Sequence, residues 1–453
     1  SGAAARRLVE AIDSGDPGKI DQFVREHLAK PDPMLWSTTE NDRRLLVNAH
    51  EQSGGVEVAT VLREKDPLVF ELRAKRDGKI ARVVISAKDS GELEGMEIEP
   101  VRPQSQNWPD EKLDEAGVVQ AIQKRLDDLA KEDRWSGVVL VAKGDEVLLH
   151  TAHGLAERSF GAPIARDTKF DLASTPKMFT SIVVAQLARE GRLSIDDLVG
   201  KHLPDYPDAA VREKVTIRHL LSHTGGTGTL FYSPGYDRTR RYADAREMST
   251  ALHGEPLQFE PGTSWSYSNG GFVLLGAIIE RLTGKTYLQA WKERILDPLG
   301  MKDTGVEGRT NIVPNLARTY DRDPLDPFGR MLKRLDSLQY GWVGGPHGGG
   351  HSTAMDMFRF ARALRQYRLL PKGETERLFV KASHGPGYAL GFETFERDGH
   401  LIIGHNGHKR SDFKVYWDLD LTVIVLGNDL SEHANGVGMQ IRELVLRNAS
   451  AFE

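Results

Sequence analysis

The sequence predicts an α+β protein in two parts, and two observations carry that expectation. Three helical patterns followed by four short alternating segments fill the first hundred or so residues, the signature of helices against an antiparallel meander. Over residues 113–453, strand patterns gather at both ends of a helical and loop-rich middle. That arrangement implies an antiparallel sheet built from both termini of the second domain, with helices packed on it.

In order, residues 4–29 carry helical periodicity, with Ile20, Phe23, Val24 and Leu28 on one face after the break Asp13-Ser14-Gly15-Asp16-Pro17. A third helix includes Leu45, Leu46 and Ala49. Four alternating segments follow, Val56 to Leu62, Leu68 to Leu72, Ile80 to Ile85 and Leu93 to Ile98, with Asp77-Gly78 and Ser90-Gly91 as turn signals between them. By element order alone this region, residues 1–112, resembles the nuclear-transport-factor-2-like fold. It reads as a small accessory domain for packing or for pairing copies of the chain into a homo-oligomer. Val101 to Leu113, with Pro103 and Pro109 among polar residues, reads as its linker. Beyond it come a helix near 115–131 and a hairpin, Val138 to Ala142 and Val147 to Thr151 about a Gly144-Asp145 turn. Strands are expected near 386–393, 400–404, 412–418 and 421–427, and a last helix near 434–447.

With 453 residues the chain is long for a single core. A net charge of −5 and the lack of a long basic run argue against a nucleic-acid partner. No stretch approaches the roughly 18 consecutive apolar residues of a membrane span. Cysteine is absent, so disulfides, thiol catalysis and thiolate metal sites are excluded, while the compartment stays open. The start, Ser1-Gly2-Ala3-Ala4-Ala5, reads as a cloning scar or trimmed terminus behind which a signal peptide would be invisible.

The chemistry concentrates in Ser174-Thr175-Pro176-Lys177. Pro176 suits a first helical position, and Phe179, Ile182, Val183 and Leu187 predict a buried helix to about Arg189. Ser174 and Lys177, three apart, then share a face. A serine hydroxyl is a poor nucleophile until its proton is removed, and Lys177 can remove it only if burial keeps its amine neutral part of the time. The apolar flank Leu172, Met178 and Phe179 favours that burial. Context matters, because a second Ser-x-x-Lys, Ser411 to Lys414, lies in a strand pattern where residues three apart face opposite ways. Two further motifs follow. Tyr267-Ser268-Asn269, on an extended or loop segment, could point a phenol and an amide together into a cleft. His405-Asn406-Gly407 follows the apolar run Leu401-Ile402-Ile403, where a glycine would let substrate backbone approach closely.

Ser-x-x-Lys, then Tyr-x-Asn, then a strand ending in His-x-Gly, in this order, resembles the serine β-lactamase and penicillin-binding-protein superfamily. Its class C β-lactamase-like branch of esterases and D-stereospecific peptidases is the nearest match. Leu220-Leu221-Ser222-His223-Thr224-Gly225-Gly226 and Gly348-Gly349-Gly350-His351-Ser352-Thr353 add to the likeness, which covers roughly residues 113–453. It implies an antiparallel sheet flanked by helices, with a helical subdomain inserted between its halves. It implies a metal-independent, cofactor-free serine hydrolase acting on a small molecule or short peptide, and a periplasmic or secreted location, while a cytoplasmic one stays open.

The resemblance also implies roles. Ser174 is the nucleophile, Lys177 its base, Tyr267 a second proton carrier, and Asn269 orients Lys177 and a substrate carbonyl. Backbone N–H groups of Ser174 and of His408, the residue after His-x-Gly, form the oxyanion hole. Where penicillin-recognising relatives carry Lys-Thr-Gly, this chain has His405, Asn406 and Gly407, then the bulky His408 with Lys409 and Arg410. A histidine neutral at pH 7 anchors a carboxylate weakly, which disfavours β-lactams and D-alanyl-D-alanine and favours esters or related amides, unless Lys409 or Arg410 restores an anion site. A D-amino-acid peptidase or weak β-lactamase on the same machinery is the alternative, and a non-catalytic binding or scaffolding relative is the alternative of another class. His219 and His223 lack the intervening Glu of a helical zinc motif, and no Gly-Lys-Ser/Thr follows the 348–350 glycines, which read instead as a tight turn at the site's rim. Thr227 to Leu257, with Tyr232, Tyr236 and Tyr242, reads as a cap over the cleft or as a surface loop.

Overall fold

The computed structural model describes residues 2–27, 39–63, 68–87, 93–100, 108–109, 111–237, 240, 242–306, 312–322, 332–335, 344–382, 384–408, 410–429 and 434–453. Leu28, the Ser90-Gly91 turn, Lys409 and most of the expected linker lie outside them. Two compact units emerge, residues 1–107 with 321–334, and residues 108–320 with 335–453.

In the first unit, helices α1 (Gly2–Ser14), α2 (Pro17–His27) and α3 (Thr39–Ser53) precede strands β1 (Val56–Arg63), β2 (Leu68–Ala74), β3 (Ile80–Ala87) and β4 (Leu93–Pro100). The strands pair in sequence order, all antiparallel. Period-two alternation puts Phe70 and Leu72 of β2 with Val83 and Ile85 of β3 on one face, where Ile20, Phe23, Val24, Leu46 and Ala49 cover them. Gly78, with a φ of 74°, makes the β2–β3 turn that Asp77-Gly78 signals.

The second unit holds the six-stranded sheet. Helix α4 (Glu115–Lys131) is capped by Asp114, whose side chain accepts from the Gly117 N–H, and it buries Val118, Ile122, Leu126 and Leu129. The hairpin β5 (Gly137–Lys143) and β6 (Glu146–His153) follows, and helix α5 (Lys177–Arg189) begins the helical middle. Helix α6 (Asn269–Thr283) and α7 (Ala354–Arg365) come next, then β7 (Glu393–Arg397), β8 (His400–Gly407), β9 (Ser411–Tyr416), β10 (Leu421–Gly427) and α8 (Ala434–Arg447). The sheet order is β7-β8-β9-β10-β5-β6, so the last strand of the chain pairs with the first strand of this unit, Val425 opposite Val139. Both faces are covered, which is why β5 and β10 read as unbroken apolar runs. Val138, Leu140, Ile424 and Leu426 face the core that contains α5, α6 and α7, whereas Val139, Val141, Val423 and Val425 face α4 and α8.

The first closing strand is shifted from expectation. Apart from an isolated bridge between Tyr388 and Glu393, residues 386–392 are not strand, because Gly385, Gly387 and Gly391 take φ of 101°, 93° and 81°, and the ladder starts only at Glu393. Among the described residues no helix is long and apolar enough to cross a membrane.

Candidate active site

Ser174 sits on a tight turn rather than in α5. The Lys177 N–H bonds the Ser174 carbonyl and the Met178 N–H bonds that of Thr175, so the chain winds with a three-residue period before the helix opens. Pro176 therefore occupies the N-cap, one position earlier than its preference for the first helical turn suggests. The preceding Ala173 has a φ of 46°, unusual for a residue with a Cβ. Three anchors hold the turn there. Ala173 donates to Asp171 Oδ1 at 2.7 Å, its carbonyl accepts from the Gly349 N–H, and Thr175 Oγ1 pairs with Ser411 Oγ at 2.7 Å. The second Ser-x-x-Lys thus supports the first: Ser411 braces the nucleophile turn, while Lys414 turns to the opposite side of β9 and pairs with Glu393.

Lys177 is fully buried at the start of α5. Its Nζ lies 3.2 Å from Ser174 Oγ, donates to Asn269 Oδ1 at 2.8 Å, and donates to the His347 carbonyl. Burial drives its pKa well below the usual lysine value. The Tyr267 and Phe272 rings, 4.8 and 5.5 Å from Nζ, favour the ammonium, by about 2 kcal/mol or more for a desolvated contact, but burial outweighs them in setting its pKa. Burying an ion costs several kcal/mol, so the neutral amine prevails. A neutral amine has two N–H bonds and one lone pair. With Asn269 and His347 accepting both hydrogens, the lone pair is left to face the serine hydroxyl.

Tyr267 extends into the same space, its backbone outside any helix, and Asn269 opens α6 instead of lying on an extended segment. Between them Ser268 caps the helix, accepting from the Gly271 N–H at 2.8 Å. This places the phenol on the approach to the helix and the amide on its first turn, both toward Lys177. Burial raises the Tyr267 pKa; the nearby Ser174 hydroxyl works against that rise and the Glu393 charge adds to it. The group is a phenol, able to carry a proton but not to act alone as a base. Its hydroxyl has no well-aligned hydrogen-bond partner among the described residues.

The glycine run lies behind the nucleophile. A Cβ on Gly348, whose φ is 142°, would sit 2.4 Å from the Ala173 carbonyl oxygen and 3.1 Å from Ser174 Cα. Only glycine allows this close approach, which also brings the His347 carbonyl to Lys177.

A cleft of about 430 Å³ opens on Ser174 and is lined by Trp265, Tyr267, Tyr388, Glu393, Phe395, His405, Asn406 and His408 among others. Ser174 and His408, the expected oxyanion donors, thus border one space. A second cleft of about 780 Å³ shares Pro386, Gly387 and Phe395 with it and continues to Phe379 and Trp417.

Two of the expected site residues have partners within the protein. His405 is not placed to anchor a substrate anion: its Nδ1–H donates to the Asn406 carbonyl at 2.6 Å, so Nε2 is the acceptor for the Tyr388 hydroxyl at 2.9 Å. Both nitrogens are occupied. The Cβ direction at Gly407 is filled by the protein itself. A Cβ there would lie 2.1 Å from the Leu172 carbonyl oxygen and 2.2 Å from Ser411 Oγ, so the glycine lets β8 pack against the nucleophile loop. Gly407→Ala is accordingly expected to cost about 1–3 kcal/mol of stability by overcrowding, measured by denaturant unfolding; an unchanged midpoint would contradict that packing role.

Burial lowers the pKa values of His223, His347 and His405, the last to about 4. Unfolding restores the usual value near 6.5 and lets each ring bind a proton that the folded protein refuses. Between pH 6.5 and 4 the unfolded state therefore holds more protons, and stability falls as pH falls. For His405 alone the shift is worth roughly 3 kcal/mol. Thermal unfolding across that window should show a steep acid decline that His405→Gln makes shallower.

Sequence reasoning missed four residues. His223, weighed as a metal ligand and otherwise only part of the family likeness, packs its ring 4.2 Å from that of Tyr267 and 4.4 Å from that of Tyr388, while its Nδ1 accepts from the Ser268 N–H at 3.0 Å. Trp265 could have been found, since it precedes Tyr267 by the two-residue period of extended chain. Tyr388 and Glu393 gave no local signal. His219 belongs to a capping box with Thr216, and the helix Ile217–Leu221 ends before His223. None of the described residues of 227–257 lines the cleft at Ser174. Tyr242 is buried and stacks with Tyr236 at 5.9 Å, and Phe231 packs against His347. Arg410 lies 3.8 Å from Asp171.

Residues 119–446 match the Beta-lactamase family model. The chain belongs to the beta-lactamase family. Its fold is that of serine β-lactamases and penicillin-binding proteins. Penicillin-binding protein 4* of Bacillus subtilis (strain 168) is 32% identical over 283 residues, 60% of this chain and 62% of that protein. Esterase EstB of Burkholderia gladioli is 37% identical over 207 residues, 43% and 53% of the two chains. This beta-lactamase family member thus spans between about half and three-fifths of the length of these curated relatives. Among solved structures, the D-amino acid amidase of Ochrobactrum anthropi SV3 is similar with a TM-score of 0.60 and 26% identity, over 74% of this chain and 98% of that one.

Proposed function

We propose that the protein hydrolyses carboxylic esters or related amides through an acyl-Ser174 intermediate. The observation that carries this reading is the buried Lys177 amine, both hydrogens engaged and its lone pair facing Ser174 Oγ at 3.2 Å. Lys177 takes the hydroxyl proton as Oγ attacks the substrate carbonyl. The N–H groups of Ser174 and His408 hold the oxyanion, each contributing about 3 kcal/mol. Collapse breaks the bond to the leaving group, which departs with a proton delivered from Lys177 by way of the Tyr267 phenol. Water then attacks the acyl ester, the same groups move its proton, and Ser174 is restored.

Esters and neutral amides rank ahead of β-lactams because the strand that carries a cation in penicillin-recognising relatives carries here the neutral, doubly bonded His405. The relatives named as an esterase and as a D-amino acid amidase support both bond types. Wild type and Ser174→Ala, offered a p-nitrophenyl ester, a chromogenic cephalosporin, a D-alanyl peptide and a fluorophosphonate, test the reading. Ester turnover and fluorophosphonate labelling, both lost in Ser174→Ala, are expected. Cephalosporin turnover alone would move the assignment to a β-lactamase, and neither turnover nor labelling would end it.

A further inference from the structure

The cleft at Ser174 has an unusual composition for a site of this kind. Among the described residues that line it, Glu393 is the sole carboxylate and none is a lysine or arginine. Three of the rings form a triangle: Trp265 and Tyr267 are 6.4 Å apart, Trp265 and Tyr388 6.5 Å, and Tyr267 and Tyr388 6.2 Å between centroids. Aromatic faces beside a carboxylate are the surroundings that an organic cation prefers, because ring quadrupoles attract positive charge without the hydration that a carboxylate alone would demand.

Glu393 is fixed at the edge of the cleft by partners on both oxygens. One oxygen accepts from the Asn406 backbone N–H at 3.2 Å and from its side-chain amide, and the other accepts from Lys414 Nζ at 2.9 Å. Lys414 is shared, lying 2.7 Å from Asp412, which also meets Arg442 at 3.3 Å. The Glu393 side chain keeps 19% of its surface exposed while Lys414 and Asp412 keep 4% and 3%. The carboxylate is therefore the member of this network that meets the cleft. Burial opposes its ionisation, but Lys414 and the surrounding hydrogen bonds win and bring its pKa to about 2. Burial raises the Tyr267 and Tyr388 phenols, and the Glu393 charge adds to both.

We propose that this cleft selects substrates carrying an organic ammonium group, seated among Trp265, Tyr267 and Tyr388 and paired with the Glu393 carboxylate. The acyl-serine reading supplies the position of the scissile bond beside that group. The proposal adds the charge of what is bound, opposite in sign to the carboxylate that penicillin-recognising relatives hold.

Binding separates the two ideas. Ser174→Ala protein is titrated calorimetrically with choline and with its uncharged isostere 3,3-dimethylbutan-1-ol. Choline is expected to bind about tenfold more tightly, and both Glu393→Gln and Trp265→Leu in that background should shrink the ratio toward one. Equal affinity for the two alcohols, or no choline binding, overturns the proposal without reference to any second variant, so misfolding of Glu393→Gln cannot mask the answer. A ratio unaffected by Glu393→Gln in folded protein overturns the role of that carboxylate. Absence of ester turnover in wild type would instead defeat the acyl-serine reading and leave the binding result as it stands.

Discussion

Lys177→Met is expected to lower kcat on a p-nitrophenyl ester by roughly 10²–10⁴-fold, the usual contribution of a positioned general base. Methionine keeps most of the volume and removes the amine that faces Ser174 Oγ. The effect on stability should be small by comparison. The substitution leaves Asn269 Oδ1 and the His347 carbonyl without their donor, at about 1–3 kcal/mol each, yet it also relieves the cost of burying an amine among Tyr267 and Phe272. These terms oppose one another, so Tm should move by only a few degrees. Activity surviving within about tenfold of wild type would refute Lys177 as the base. A collapse of Tm would recast it as a structural residue. Activity in the wild type should also rise with pH as the amine loses its proton, and that rise should be absent from the residual activity of Lys177→Met.

Asp412→Ala is expected to be the most damaging single change to stability, by about 3–5 kcal/mol and a fall in Tm on the order of 10 °C. Asp412 is 3% exposed and bridges Lys414 at 2.7 Å and Arg442 at 3.3 Å. Burial works against the Lys414 ammonium, but Asp412 and Glu393 together hold its pKa above the ordinary lysine value. Removing one of the two carboxylates leaves two cations to share Glu393 beneath the cleft. The penalty is that of an uncompensated buried charge, and it far exceeds what the intact pairs contribute. A loss below about 1 kcal/mol would mean that water reaches the network and screens it.

The periodic elements were legible because burial on one or two faces imposes a period on the chain. Val118, Ile122, Leu126 and Leu129 on α4, and the apolar run of β10, declare their partners' geometry without naming them. The Ser-x-x-Lys decoy was legible for the same reason, since a period of two cannot bring Ser411 and Lys414 together. Punctuation was harder. Pro176 entered at the N-cap because the turn before it is wound tightly by Ala173 and its anchors, and those anchors come from residues 349 and 411. Gly407 advertised a close approach, yet which atoms approach is decided by how the loop bearing Leu172 packs on β8.

The α+β class and the pairing of Ser174 with Lys177 follow from local rules, residue chemistry, spacing and periodicity that act within a few positions along the chain. The resemblance to a family joined Tyr267 and Asn269 to them. The charge state of Lys177, the two occupied nitrogens of His405 and the carboxylate at the cleft did not follow from those rules. A pKa or a hydrogen-bond partner depends on what fills the few ångströms around an atom. Here those neighbours, His347, Tyr388 and Glu393, come from segments that only the closing of the sheet and its helices brings together.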